Sequence, residues 1–171
     1  MRILIFFLSC FMLHSGCKKD DEPELPGPTQ TGARTFGCKV DGRPFVTSGD
    51  QDANWSKSGV VYFLYTDGSI SVDARQANPR EYIRFRFKFN NAPGTYYLND
   101  LFQYKGFYTD LRSGSTAING GNEYKTSDVN TGQINITHYD GDIIAGTFSF
   151  KAANDSGEIV HLTEGRFDIP R

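Results

Sequence analysis

Apolar and polar residues alternate along much of the chain beyond residue 34, in short runs that end at Gly, Asp, Asn or Pro. A strict alternation covers residues 81–89, where every second residue from Ile83 to Phe89 is apolar. The residues facing the other way include Arg84, Arg86 and Lys88. A period of two predicts a β-strand with one buried side and one solvent-facing side. The cationic side is either a strip for an anionic ligand, such as a sugar acid or lipid headgroup, or a solvated face paired across the sheet to residues such as Asp73.

Asp-Gly pairs mark predicted hairpin turns at residues 41–42, 67–68 and 140–141. This pair adopts the positive φ angles that two-residue turns require between antiparallel strands. The first turn would set Phe45 opposite Cys38. The second would pair segment 60–65 with segment 70–75, namely Val61 with Ala74, Phe63 with Val72 and Tyr65 with Ile70.

The runs together predict about nine to eleven short strands spaced by about 8–12 residues. Glycine, with 18 residues, and aromatic side chains, at 14%, are abundant, as short strands and tight turns require. No helix is predicted after the leader. The expected fold is all-β, an antiparallel meander over residues 34–171, closed as a lipocalin-like barrel or folded as a two-layer sandwich.

Residues 1–16 show a different pattern and are predicted to be a signal peptide. Arg2 precedes the apolar run 3–13, which is too short to cross a bilayer as a stable helix and typical of a signal-peptide core. Two small residues, 15–16, then precede Cys17. This resembles the lipobox of bacterial lipoproteins, where the chain is cut before a cysteine that carries diacylglycerol and palmitate. The family pattern has an aliphatic residue where this chain has His14, and the alternative is a plain secretory signal that leaves Cys17 as a free thiol.

Residues 17–33 are predicted to be a lipidated cysteine followed by a tether. Prolines and acids without apolar periodicity are typical of an extended, disordered spacer. The run 18–22, Lys-Lys-Asp-Asp-Glu, resembles the acidic export tag of many surface lipoproteins of Bacteroidota. That resemblance implies a lipid-anchored protein of the outer membrane, on the cell surface rather than the periplasmic face. The alternative is an ordinary solvated charge run.

The formal net charge of −2 argues against one class of partner, nucleic acids. A nucleic-acid partner would need a basic face, so none is expected. Three cysteines are present, and only Cys38 lies in the predicted domain, so no disulfide framework is expected. Because Cys38 sits on an apolar strand face, we interpret it as a buried small hydrophobe rather than a reactive thiol. No cofactor motif is present, and no cofactor is expected.

Candidate metal and catalytic chemistry is weak in this sequence. Asp50, Asp52 and Asn54 match the start of a calcium loop, but Trp55 stands where that loop needs Gly and Val61 where it needs Glu. No metal site is therefore predicted. The histidines beyond the leader lack a recognisable nucleophile motif around them. A glycan-acting hydrolase would need two carboxylates in one cleft, and the acids considered for this are Asp73, Asp100 and Asp110.

The function favoured by these observations is a non-enzymatic module that binds a glycan or a surface protein. For a glycan, aromatic rings would stack on sugar faces, and the candidates are Trp55, Tyr96, Tyr97 and Tyr104. These rings could instead pack in the core or at its rim. An alternative function is a lipocalin-like carrier of a small apolar ligand, which would need an enclosed cavity. A core filled by Phe85, Phe87 and Phe148 would exclude such a carrier.

Three sequence segments resemble one known family. They are residues 35–42 (TFGCKVDG), 146–150 (GTFSF) and 165–169 (GRFDI). With the leader, they resemble an uncharacterised lipoprotein family of Bacteroidota whose domain has no assigned function. The resemblance implies an exported, anchored, all-β domain. It implies no activity and no catalytic residue.

Overall fold

The computed structural model describes residues 22–47, 59–99, 104–111 and 122–170. Cys17, Trp55 and Asp100 lie outside these ranges, as does the start of the calcium-like segment. The strands are β1 Thr35–Val40, β2 Arg43–Val46, β3 Val60–Leu64, β4 Ser69–Gln76, β5 Glu81–Lys88, β6 Gly94–Leu98, β7 Gly106–Asp110, β8 Asn122–Lys125, β9 Gly132–Tyr139, β10 Ile143–Ala153 and β11 Ile159–Pro170. Within the described ranges, no helix has the length and apolarity needed to cross a membrane.

All the strands pair antiparallel in one curled sheet. Nine of them follow the order β2-β1-β11-β10-β8-β7-β5-β4-β3 and form a half-barrel. The long strand β10 pairs with β9 along residues 144–150 and meets β8 at Ala153, and β6 pairs with β9. The predicted all-β antiparallel fold with nine to eleven strands is confirmed. Its curl gives the sheet a filled inner side and a separate outer side.

Phenylalanine rings fill the inner side of the curl. Phe85 lies at the centre, with its ring centroid 4.9 Å from that of Phe148 and 5.6 Å from that of Phe167. Phe36 contacts Phe148 at 5.0 Å. These rings are at most 4% exposed, and Phe87 beside them is fully buried. The core therefore contains the rings of Phe85, Phe87 and Phe148. This is the arrangement that was expected to exclude a carrier with an enclosed ligand cavity.

The strand β5 has the two faces that its alternation predicts. Its apolar residues are buried, and its cations lie on the outer side with partners across the sheet. Arg84 pairs with Asp73 at 2.7 Å, and Arg86 pairs with Asp67 at 3.0 Å. Lys88 donates a hydrogen bond to the backbone carbonyl of Asp67. Of the two interpretations of the cationic side, these contacts favour the one in which the cations are paired across the sheet. A strip that binds an anionic ligand would need cations without such partners.

The hairpin between β3 and β4 has a longer loop than the Asp-Gly pair predicts. The Tyr65 amide donates to the Ser69 carbonyl at 2.9 Å, and the Gly68 amide donates to the Tyr65 carbonyl at 2.9 Å. The loop therefore holds residues 66–68. Asp67 favours this loop, because its carboxylate accepts hydrogen bonds from the Ser69 amide at 2.9 Å and hydroxyl at 2.6 Å.

The longer loop moves the register of this hairpin by one residue. The observed pairs are Val60 with Ala74, Tyr62 with Val72 and Leu64 with Ile70. The predicted pairing of Val61, Phe63 and Tyr65 is wrong, because a slip of one residue turns every side chain to the opposite face. Phe63 and Tyr65 consequently lie on the outer side of β3, 49% and 37% exposed.

A β-bulge interrupts β11 where it crosses the centre of the sheet. Gly165 lies opposite Phe148, but Phe150 lies opposite Leu162, so β11 has one extra residue here. Glu164 in the bulge has a φ of 53°, a left-handed conformation that is uncommon for a residue with a side chain. The bulge interrupts the outer face of β11 and borders a depression lined by Ser149 on β10 and Arg166 on β11.

Replacement of Gly165 by Ala should destabilise the protein by about 1–3 kcal/mol, the usual range for overpacking. A Cβ atom at this position would lie 2.5 Å from the Phe148 carbonyl oxygen and 2.6 Å from its ring. Urea unfolding monitored by circular dichroism would measure the change. Gly27→Ala is the matched control, since a Cβ there meets no atom within 4 Å. Equal stability of both variants would contradict the close packing described at the bulge.

The segment before β1 is bonded to the outer side of β11. Asp168 is 1% exposed, and its carboxylate accepts hydrogen bonds from the Thr29 hydroxyl at 2.7 Å and the Gly32 amide at 2.8 Å. The amides of Thr31 and Ala33 donate to it at 2.9 and 3.2 Å. The predicted tether extends to Ala33, so four of its last five residues contact the domain through one carboxylate, and the fifth, Gln30, donates a hydrogen bond to the Thr137 hydroxyl on β9 at 3.2 Å.

Candidate ligand-binding sites

An exposed tyrosine lies beside short polar side chains on the outer side of β6, β9, β10 and β11. Tyr97 on β6 is 65% exposed and lies opposite Gln133 on β9, which in turn lies opposite Ser149 on β10. They border a groove of about 390 Å³. Its lining includes Tyr97, Val129, Thr131, Gln133, Ser149 and Thr163. We call this surface the Tyr97 face.

A second depression continues the Tyr97 face towards the β11 bulge. It has a volume of about 400 Å³ and shares Gln133 and Ser149 with the first. Its lining adds Asn135, Thr147 and Arg166, and Pro28 from the segment before β1 borders it. The two depressions therefore form one polar surface that crosses four adjacent strands.

Ionic contacts on the Tyr97 face centre on Glu164 in the bulge. Its carboxylate lies 2.7 Å from the Lys39 ammonium and 3.9 Å from the Arg166 guanidinium. Amide and hydroxyl side chains make up much of the remaining lining. Such groups both donate and accept uncharged hydrogen bonds, and the Tyr97 ring adds a flat apolar surface. Lys151 and His161 add exposed basic side chains to the lining, and the combination is suited to a molecule with many hydroxyl groups.

The structure separates the candidate aromatic residues. Tyr96 is a packing residue: its ring lies 5.0 Å from Phe87, its hydroxyl donates to the Ala92 carbonyl at 2.6 Å, and burial raises its pKa. Tyr97, the next residue, points to the opposite side and is exposed. Tyr104 is half-buried before β7 and is not part of the Tyr97 face. Only Tyr97 among the described candidates thus has a ring available for stacking.

An apolar pocket lies at one end of the curled sheet, between β3 and β4 on one side and the β9–β10 hairpin on the other. Its volume is about 280 Å³. We call it the end pocket, and its lining is Tyr62, Leu64, Ile70, Asn91, Tyr139, Gly141, Asp142, Ile143 and Ile144. Most of these side chains are aliphatic or aromatic, and the polar ones are few. That composition is common in small-molecule sites.

Buried carboxylates elsewhere have structural partners. Glu81, whose side chain is fully buried, accepts hydrogen bonds from Arg43 at 2.5 Å and from the Tyr108 hydroxyl at 2.9 Å. Burial and the Glu81 charge raise the pKa of Tyr108. One signal in the sequence could have identified Glu81, namely an acid on the apolar phase of the β5 alternation. The Glu81 carboxylate thus joins β5 to β2 across the inner side of the curled sheet and to the neighbouring strand β7, and it lines neither the two outer depressions nor the end pocket.

Asp73 and Asp110, the two described acids among those considered for a hydrolase, do not share a cleft. Asp73 lies opposite Arg84 on the outer side of the sheet and also accepts a hydrogen bond from the Tyr82 hydroxyl at 2.6 Å. Asp110 lies opposite Glu81, on the inner phase of the neighbouring strand. Side chains on opposite sides of one sheet cannot flank one glycosidic bond. Asp100, the third acid, lies outside the described residues.

Cys38 is fully buried opposite Phe45, as its interpretation as a small hydrophobe predicts. Burial, with a smaller contribution from the Glu81 charge, raises the pKa of its thiol far above the ordinary value. A thiol in that environment stays protonated and unreactive.

In the part of the chain that the structure describes, no three His, Cys, Asp or Glu side chains are grouped so as to hold a metal ion.

Comparison with known proteins identifies a family but no relative of established activity. Searches of the curated proteins and of the solved structures gave no significant match. Residues 43–170, from the start of β2 to the end of β11, match a domain of unknown function, DUF6252. The TFGCKVDG segment, residues 35–42, lies entirely before the matched range, although its strand β1 pairs with both β2 and β11. The chain belongs to the DUF6252 family.

Proposed function

We propose that the chain is an exported lipoprotein, anchored in the outer membrane through Cys17, whose β-domain binds a glycan at the cell surface. The proposed location, in the outer membrane at the cell surface, rests on the leader, the small residues before Cys17 and the acidic run after it. The segment that follows is proline-rich up to residue 28 and would separate the domain from the membrane. A binding module is the function that agrees with both the proposed location and the outer surface of the sheet.

The observation that supports a glycan ligand is the Tyr97 face. A large aromatic ring that is 65% exposed leaves apolar surface in water, and a sugar ring can cover it with its own C–H groups. Gln133 lies on the strand next to Tyr97, and Ser149 and Thr163 follow on the next two strands of the same groove, so these side chains could bond the sugar hydroxyl groups. A short oligosaccharide, extended along β9 and β10 towards Asn135, would fit the joined depressions.

Replacement of Tyr97 by Ala is expected to reduce glycan binding at least about fivefold, because a stacked aromatic contact is worth roughly 1 kcal/mol or more. A glycan array would select the ligand, and titration calorimetry would measure its dissociation constant. Tyr65→Ala is the matched control. Tyr65 is also exposed, but it lies directly after β3, far from the Tyr97 face in the strand order. The Arg86 guanidinium carbon lies 3.9 Å from the centroid of the Tyr65 ring.

The array and the two variants together decide the proposal. Binding that falls in Tyr97→Ala and stays unchanged in Tyr65→Ala supports it. An array without any bound glycan, or a Tyr97→Ala variant that binds as tightly as the wild type, would show that the Tyr97 face is not a glycan site. Circular dichroism of both variants would verify that they are folded.

A further inference from the structure

We propose that the end pocket is a second binding site, for a small molecule with an aromatic or other apolar ring and a protonated amine. The pocket is separate from the Tyr97 face and does not depend on the function proposed for it. Three observations support the ligand class: a buried apolar floor, a fixed aromatic wall and a rim with one charge, which is negative.

The floor of the end pocket is aliphatic and buried. Ile70 on β4 and Ile144 on β10 are 4% and 3% exposed. Leu64 at the end of β3 is 56% exposed, which is high for a leucine that lines a pocket. An apolar ring seated on the two isoleucines would cover the exposed surface of Leu64 and remove it from water, at a gain of about 25 cal/mol for each Å² buried. The pocket therefore favours an apolar body over a polar one.

The aromatic wall is held in place before any ligand arrives. The Tyr139 ring contacts Phe89 edge to face, with centroids 4.9 Å apart and an interplanar angle of 88°. Phe89 is 5% exposed and belongs to the core. Tyr62, on the other side of the pocket, also packs against the core. Because these rings are fixed by packing, a flat ligand would bind with little loss of side-chain freedom.

The rim of the end pocket determines the charge of the ligand. Asp142 is the one charged side chain of the lining, and no hydrogen bond or ion pair to its carboxylate is found among the described residues. The neighbouring acid, Asp140, instead bonds the Asp142 and Ile143 amides and lies 3.2 Å from His138. Asn91 adds an amide oxygen to the rim, and the Tyr139 hydroxyl donates a hydrogen bond to that oxygen at 3.5 Å. A group with several N–H donors and a positive charge matches these acceptors.

The probe that tests this ligand class is 2-phenylethylamine, titrated into the purified protein and followed by ¹H–¹⁵N chemical shifts. A fragment of this size is expected to bind with a dissociation constant on the order of 1 mM. Two comparison compounds separate the contributions. The first, 3-phenylpropionate, keeps the ring and reverses the charge, and ethylamine keeps the charge without the ring. Both should bind at least about tenfold more weakly, if an ion pair and a buried ring each contribute about 1.4 kcal/mol.

Two variants locate the site. Asp142→Asn should remove the preference for the amine over 3-phenylpropionate, and Leu64→Ala should weaken binding of both ring compounds about threefold. Both positions are exposed, so the fold should tolerate the changes. Asp128→Asn is the control, an equal change of charge at an exposed turn away from the pocket.

The outcomes are unambiguous. Shift changes confined to the β9–β10 hairpin, to β3 and β4 and to the segment around Asn91, with the amine preference lost only in Asp142→Asn, support the proposal. Absence of binding, equal binding of 3-phenylpropionate, an unchanged preference in Asp142→Asn or shift changes elsewhere on the molecule would each overturn it.

Discussion

Replacement of Cys17 by Ala is expected to move the protein from the membrane fraction to the soluble fraction and to abolish its acyl labelling. The acyl chains of a lipoprotein each gain about 0.8 kcal/mol per buried CH₂ group, and several chains together make anchoring effectively permanent. Without Cys17, no acceptor for these chains remains at the predicted cleavage site. Labelling of growing cells with a palmitate analogue, followed by fractionation, would measure both changes.

Cys10→Ala is the matched control for this experiment. Cys10 lies within the predicted signal peptide, so the variant should keep both the label and the membrane location. A Cys17→Ala variant that retains both would show that the anchor is elsewhere, and the proposed location would be wrong. Protease treatment of intact cells then tests the side of the membrane, since a domain on the cell surface should be degraded while periplasmic proteins survive.

Replacement of Asp168 by Ala is expected to lower the free energy of unfolding by about 2–3 kcal/mol, because a buried carboxylate with several hydrogen bonds is lost and its donors are left behind. The donors are the Thr29 hydroxyl and the amides of residues 31–33. Urea unfolding at pH 7 would measure the change. Asp128→Ala, at an exposed turn, should leave stability unchanged. A similar stability for both variants would show that residues 29–33 do not contribute through Asp168.

The same carboxylate predicts a dependence of stability on pH. Burial alone would raise the pKa of Asp168, but the hydrogen bonds from Thr29 and from the backbone amides outweigh this effect and lower it. A lowered folded-state pKa means that the stabilisation is complete above the unfolded-state value of about 3.9 and is lost as the pH falls through the folded-state value. Asp168→Asn should therefore lose less stability than the wild type on acidification below about pH 4.

The strand pattern predicted the fold class because it reports which side of each strand is buried. The alternation from Ile83 to Phe89 identified the inner side of β5, and the Asp-Gly pair at 41–42 placed Phe45 opposite Cys38 correctly. The same dipeptide at 67–68 misled, because Asp67 and Gly68 also fit a three-residue loop. The choice between the two loops depends on which residues of β3 the core can accept, and a dipeptide does not contain that information.

The candidate sites were harder to predict for a related reason. Tyr96 and Tyr97 are adjacent, so one must face the core and the other the outside, but the sequence does not say which. Pairing of β6 with β9 decides it, because Tyr96 lies opposite the buried Ile134. Asp168 gave no local signal, because its partners lie more than 130 residues earlier in the chain. The end pocket likewise arises from strands that are distant in sequence and meet only in the curled sheet.

The bonds to Asp168 also determine where a mechanical load on the lipid anchor would enter the domain. Pro26 packs against Gly37 of β1, so under the proposed anchoring the spacer before the first domain contact would be residues 18–25, which spans roughly 25 Å at about 3.1 Å per residue. A pull on it would reach Asp168 before the start of β1. Asp168 is paired with Thr35 on β1 and with Ala145 on β10, so the load would be shared by three neighbouring strands. The carboxylate would thus protect the N-terminal end of β1 from being peeled from the sheet when the cell surface is under shear.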